Sequence, residues 1–393
     1  MATTTAPAQG PAGARQAVER LPGSKIREVA NAGMDLGDVL AFWFGEPDLP
    51  TPEFICRAAA EAMAAGHTFY TANRGLPELR EALARYMSRL HGRAIGEERI
   101  VVTASGMAAV NLAQQVLAEA GDNVVVQGPI WPNLVATVAL MGAEPRLVPL
   151  QFANQGWRLD LDRLFAACDA RTRAIVVNSP SNPTGWVMRP EEQRAILDFA
   201  RKRGIWIIAD DVYVRLCYSR PVAPSFAELA EPDDRVVLIN SFSKSWCMTG
   251  WRLGWLTLPP KLAPVVERTV EFHHSCAADF SQRAGIVAVE QGEPFVADLV
   301  ARYRVARDLA CERLAAMPRV RLHVPDGAFY VFFQVAGMTD SLYFCKRLVR
   351  EARVGLAPGA AFGPAGEGFI RLCFASTLPR LDEGLARLAR ALQ

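Results

Sequence analysis

Across 393 residues there is no Cys-x-x-Cys pair, no uninterrupted apolar run near the ~18 residues a membrane span needs, and no surplus of either charge. Each absence removes a class of function. The eight cysteines, at 56, 168, 217, 247, 276, 311, 345 and 373, never approach the spacing of a zinc or redox centre. They are expected as reduced, mostly buried thiols of a cytoplasmic protein, with no metal site. A formal net charge of +2, from 43 Lys plus Arg against 41 Asp plus Glu, is dispersed along the chain. It leaves no electrostatic case for nucleic acid or a membrane surface. The first eighteen residues lack both a basic start and an apolar core, so they read as a loose tail and not as a signal peptide. No internal repeat is visible.

What is present is an ordinary globular composition, 51% hydrophobic and 21% charged, in a chain long enough for two domains. From residue 99 onward, short β-branched runs (Ile100-Val-Val-Thr103, Asn123-Val-Val-Val126, Ala174-Ile-Val-Val177, Ile205-Trp-Ile-Ile208 and Val236-Val-Leu-Ile239) alternate with helical stretches or turn signals. That order predicts an α/β fold, a mostly parallel sheet between layers of helices. Upstream, Thr51-Pro52 predicts a helix start, threonine as N-cap, continuing to about Ala65. Beyond residue 290, a long helical pattern, two strand-like runs and a further helix predict a smaller α+β domain.

Polar residues gather where the strands end, the place at which such sheets bind ligands. After Val236-Val-Leu-Ile239 come Ser241-Phe-Ser-Lys244 and Gly250-Trp-Arg-Leu-Gly254. Ser241 and Ser243 offer hydroxyls and Arg252 a planar guanidinium, a set suited to a phosphate dianion, beside an amine at Lys244 that could capture a carbonyl as a Schiff base. Pyridoxal 5'-phosphate meets both demands. Thr103-Ala-Ser-Gly-Met107 enters a helix, so the amides of Ser105, Gly106 and Met107 would face an anion. Trp131 follows another strand, as either a core aromatic or a ring to stack on a pyridine. The turn Asn178-Ser-Pro-Ser-Asn-Pro-Thr-Gly185 carries Asn182, whose amide can donate hydrogen bonds, although such a turn needs no function. Of Asp210 and Asp211, neighbours that point to opposite sides, one is expected to enter a site. Arg371, inside the apolar run Gly368 to Phe374, needs an anion, either a structural carboxylate or a ligand.

The lysine segment, with Asn-Pro-Thr-Gly185 and the Asp, acidic residue, x, Tyr pattern ending at Tyr213, resembles the class I/II aminotransferases among the fold-type-I pyridoxal-phosphate enzymes. The likeness runs from about Gly45 to Arg371. It implies Lys244 as the covalent attachment point, with Ser241, Ser243 and Arg252 on the phosphate and Asp210 at the ring nitrogen. Tyr213 and Asn182 then serve the phenolate oxygen, and Trp131 stacks on the ring. Gly45 and Arg371, with Asn182, take the substrate carboxylate. Tyr70, by residue type a half-buried loop aromatic, is implied to reach the phosphate of a neighbouring subunit, hence a homodimer. The expected division is a tail at 1–18, a segment 19–47 joining the small domain, a large domain 48–289 and a small domain 290–393.

The function implied is amino transfer from an L-amino acid to a 2-oxo acid, 2-oxoglutarate among the acceptors. The alternatives are a lyase, decarboxylase or synthase on the same scaffold, or a non-catalytic sensor domain. Phe42, Trp43, Phe44 and Trp131 predict a mouth broad enough for aromatic or other sizeable donors. Lys25, Arg27, Arg74, His273 and His274 are the candidate cations for a distal substrate carboxylate.

Overall fold

The computed structural model describes residues 13–153 and 156–393. Of the expected tail, residues 1–12 lie outside the described residues, and Gln16–Glu19 forms a single helical turn.

The apolar runs pair as anticipated. Among the described residues, seven strands form the main sheet: β1 (Ile100–Thr103), β2 (Asn123–Gly128), β3 (Glu144–Pro149), β4 (Thr172–Asn178), β5 (Trp206–Asp210), β6 (Val236–Ser241) and β7 (Gly254–Thr257). Their order is β1-β7-β6-β5-β4-β2-β3, and β7 alone runs against its neighbours. Because side chains alternate along a strand, Val125, Ile175, Ile207 and Val236 enter one core while Val124, Val176, Ile208 and Val237 enter another. Both faces are covered, which is why these strands read as continuous apolar runs. The helices Gly106–Leu117, Pro132–Leu140 and Ala263–His273 close one face, and Pro77–His91, Pro190–Arg203 and Asp279–Gln291 help close the other.

A second, antiparallel sheet has the order β8-β9-β11-β10, formed by β8 (Val320–Arg321), β9 (Tyr330–Val335), β10 (Ala357–Pro358) and β11 (Phe369–Cys373). The helices Glu293–Ala315, Ser341–Ala352 and Leu378–Ala391 pack on it through Tyr303, Leu348 and Leu385. The N-terminal segment joins this layer: Leu40–Ala41 pairs in parallel with Val354–Gly355, and the Cys373 N–H donates to the Phe42 carbonyl at 3.1 Å. This pairing carries Phe44 and Gly45 to the carboxyl ends of the main strands.

Two local expectations fail for tertiary reasons. The helix after Thr51 begins at Glu53, and Thr51 does not cap it. The Thr51 hydroxyl instead donates to the Cys247 carbonyl (2.7 Å) and accepts from the Trp251 indole (2.8 Å), tying that helix start to the lysine segment. Phe42 and Trp43 also leave the mouth. Phe42 is buried against Gly384, and the Trp43 ring lies over Gly355, so both pack the small layer.

Candidate active site

Where β2, β4, β5 and β6 end, a cleft of about 530 Å³ opens between the two sheets. Lys244, Asp210, Tyr213, Asn182, Arg252 and Arg371 all line it, as do Gly45, Gly106, Met107, Trp131, Ser241 and Ser243. Ser105 stands just behind, its hydroxyl accepting from the Ala108 N–H (2.9 Å). Tyr70 does not reach the cleft and is 91% exposed, more open than a half-buried loop aromatic.

Lys244 follows β6 in a four-residue helix capped by the Ser241 hydroxyl, which accepts from the Ser243 N–H at 3.2 Å. The Lys244 ammonium donates to the Gly45 carbonyl (2.7 Å) and lies 5.8 Å from the centre of the Phe329 ring. Burial drives its pKa down to about 8, with Arg371 and Arg252 pushing the same way. Gly45 must lack a side chain, because a Cβ there would collide with the Tyr330 hydroxyl.

The two neighbouring carboxyls separate as the strand alternation requires. Asp211 accepts from the Ser225 hydroxyl (2.6 Å) behind the sheet, while Asp210 faces the cleft with the Val212 N–H at 3.3 Å. Burial raises Asp210 to about 7, and no cation pairs with it among the described residues.

Arg371 is 2% exposed, yet no carboxylate of the described residues pairs with it. One guanidinium nitrogen donates to the Asn182 side-chain oxygen (2.8 Å) and another to the Trp43 carbonyl. Its face lies 4.4 Å from the Tyr330 ring centre and 4.9 Å from that of Phe362. A buried guanidinium held by neutral oxygens and ring faces can receive an anion, and among the described residues no structural carboxylate occupies that place.

At the far end, Ser105 caps the helix Gly106–Leu117 at φ +138°, a backbone region that costs a residue with a side chain about 1–3 kcal/mol. Gly106 and Met107 open that helix, so their N–H groups have no carbonyl of an earlier turn to meet them. Arg252, also at positive φ (+53°), adds its guanidinium. Four of the five candidate distal cations, Lys25, Arg74, His273 and His274, do not line the cleft. Lys25 donates to the Ala360 carbonyl (3.3 Å) and Arg74 to that of Glu98 (2.6 Å). His274 accepts from the Ala104 N–H (3.2 Å) and faces His273, and burial then its neighbour lower its pKa to about 4. Arg27 lines the cleft, 5.6 Å from the Phe44 ring centre.

Residues lining the cleft that sequence reasoning passed over include Tyr330, Thr249 and Asn133. None stands in a spacing that marks it. Tyr330 in particular reads as one more aromatic in an apolar strand.

A family model for aminotransferases of class I and II matches residues 38–388. The chain belongs to that family. The aminotransferase is 36% identical to an aspartate aminotransferase of Thermotoga maritima, over 94% of this chain and 97% of that one. It is 34% identical to an aspartate aminotransferase of Pyrococcus horikoshii (94% and 95% covered), and 32% identical to aromatic-amino-acid aminotransferase 2 of Thermococcus litoralis (96% and 97%). Among solved structures, the Thermotoga maritima aspartate aminotransferase superposes with a TM-score of 0.91 at 34% identity, covering 96% of this chain and all of that one. The N-succinyldiaminopimelate aminotransferase of Mycobacterium tuberculosis gives 0.92 at 27% identity, over 97% and 100%. The aminotransferase thus has the expected α/β fold and depends on pyridoxal phosphate, as its family does.

The residues present fit that group. The N–H groups at the start of the helix Gly106–Leu117, two serine hydroxyls and the Arg252 guanidinium suit a phosphate. Asp210, buried and with no ion-pair partner among the described residues, suits a protonated ring nitrogen, and Lys244 is an amine eased toward its neutral, nucleophilic form.

Proposed function

We propose that the cleft performs amino transfer from sizeable L-amino acids, aromatic ones included, to a 2-oxo acid such as 2-oxoglutarate. The observation that carries the reading is Arg371, a buried guanidinium with no acid partner among the described residues, in the same cleft as the Lys244 amine. Bound pyridoxal phosphate supplies an aldehyde for amine capture and a ring that accepts the electron pair left at the substrate Cα. Ser241, Ser243, Arg252 and the Gly106 and Met107 amides would hold its phosphate, with Ser105 setting the backbone, and Trp131 would stack on the ring. Asp210 would place a carboxylate at the ring nitrogen, and Tyr213 and Asn182 would donate to the phenolate oxygen. Arg371 takes the substrate carboxylate in a two-pronged grip, which fixes the direction of the Cα–H bond. Gly45 leaves room for the approach. The Lys244 amine would then take the Cα proton, the electron pair of that C–H bond passing into the ring, and deliver the proton to the carbon that had been the aldehyde carbon.

Phe44 and Trp131 supply the aromatic surface, and Arg27 is a cation free to meet the distal carboxylate of a dicarboxylic acceptor. The same reading includes a cytoplasmic homodimer in which Tyr70 serves the neighbouring subunit's phosphate. It also includes a large domain from about residue 48 to 289 with a small one after it. Incubating the pyridoxal-phosphate form with single L-amino acids tests the substrate side, each donor being scored by the pyridoxamine phosphate and 2-oxo acid produced. Phenylalanine or tyrosine turnover at or above that of aspartate is expected. Turnover of aspartate alone would remove the size argument, and ammonia release without pyridoxamine phosphate would make the enzyme a lyase.

A further inference from the structure

Tyr330 stands at the meeting point of three site residues. It is fully buried in β9, its hydroxyl 2.7 Å from the Tyr213 hydroxyl and its ring against the Arg371 guanidinium, while the same hydroxyl fills the space beside Gly45. A buried phenol needs a hydrogen-bond partner, and here the partner is another phenol. Two hydroxyls in such contact share one proton between them, so the direction of the bond matters. If Tyr213 donates to Tyr330, its proton is spent within the protein. If Tyr330 donates, the Tyr213 O–H is left to point into the cleft.

We propose that Tyr330 is a positioning residue: it donates to the Tyr213 oxygen, so that Tyr213 presents its own proton to the cleft, and its ring supports Arg371 where the substrate carboxylate is received. The proposal rests on the reading above, in which Tyr213 donates to the cofactor's phenolate oxygen. Burial favours this direction. Tyr330 is fully buried, and Tyr213 is the only hydrogen-bond partner of its hydroxyl among the described residues, so the Tyr330 proton has no other acceptor there, while a proton on Tyr213 can be met by a group bound in the cleft it lines. A chain of two donations strengthens the second by some 10–30%.

The test is a pH titration of the visible absorbance of the bound cofactor in wild type, Tyr330→Phe, Tyr213→Phe and the double variant. A stronger donation to the phenolate oxygen favours the deprotonated form, so Tyr330→Phe is expected to move the midpoint upward by about half a pH unit. Tyr213→Phe should move it further, and the double variant should match Tyr213→Phe because the two act as one chain. Tyr330→Leu, which also removes the ring, should in addition raise KM for the amino donor about tenfold, against less than twofold for Tyr330→Phe. A midpoint unchanged or lowered in Tyr330→Phe overturns the proposal, since the bond would then run from Tyr213. A wild-type protein whose bound cofactor shows no titration would overturn the underlying reading instead.

Discussion

At Lys244 the sequence supplies an amine and the fold decides when it is neutral. An exposed lysine is almost wholly protonated at neutral pH, whereas burial behind Gly45 and two nearby guanidinium groups bring this one to about 8. The sign is fixed by chemistry, because only the neutral amine attacks an aldehyde. In the cofactor-free protein, the rate of pyridoxal-phosphate capture should therefore climb as pH rises toward about 8 and level off above it. Stopped-flow absorbance between pH 6 and 10.5 measures this. A rate still rising tenfold per pH unit between 8.5 and 10 would mean that the amine keeps the ordinary value. Asp210 and Asp211 give the matching lesson for acids: adjacent in sequence, both pushed up by burial, they face opposite sides of one strand and meet different partners.

At the scale of elements, the proposed phosphate cradle depends on how closely β7 passes beneath the start of the helix Gly106–Leu117. A Cβ at Gly254 would stand 2.7 Å from the Gly106 nitrogen and 2.8 Å from the Ser105 carbonyl carbon, and both are backbone atoms that cannot swing aside. Gly254→Ala should push the helix start outward, costing about 1–3 kcal/mol of stability and weakening pyridoxal-phosphate binding at least tenfold. Gly250→Ala is the matched control, because nothing lies within 4 Å of a Cβ there. Thermal melts with and without cofactor, together with a binding titration, compare the pair. Equal behaviour of the two variants would show that close packing of β7 does not shape the cradle.

For the whole molecule, Phe69, Tyr70 and Phe272 are 81%, 91% and 91% exposed on segments that are tied together. The Asn73 amide donates to the Ser275 carbonyl (2.7 Å) and the Thr71 N–H to the Cys276 sulfur (3.4 Å). Three large aromatics left in water beside the cradle end of the molecule suit contact with a second copy. If Tyr70 serves the neighbour's phosphate, mixing inactive Lys244→Ala chains with impaired Tyr70→Phe chains should regenerate some sites carrying both native residues. About a quarter of wild-type activity per site is the order expected from random pairing. No recovery after subunit exchange, or a fully active monomer by light scattering, would count against a shared site.

The sequence alone determined the strand-helix alternation and the motifs at the strand ends, because both are written locally: period-two burial sets which side chains share a face, and the segment 241–254 carries its lysine, serines and arginine in one short run. It also narrowed the choice at 210 and 211 to one carboxylate. What it left open depends on which elements meet. Thr51 reads as a helix cap until Cys247 and Trp251 compete for its hydroxyl, and Phe42 and Trp43 read as mouth aromatics until Gly384 and Gly355 make room for them in the small layer. Arg371 and Tyr330 are placed the same way, by partners at Asn182 and Tyr213 that lie far off in the chain and come into reach only when the two sheets pack. Neighbours along the chain fix periodicity, but the partners of a buried polar group are set by contacts between distant segments, and those exist only in the folded state.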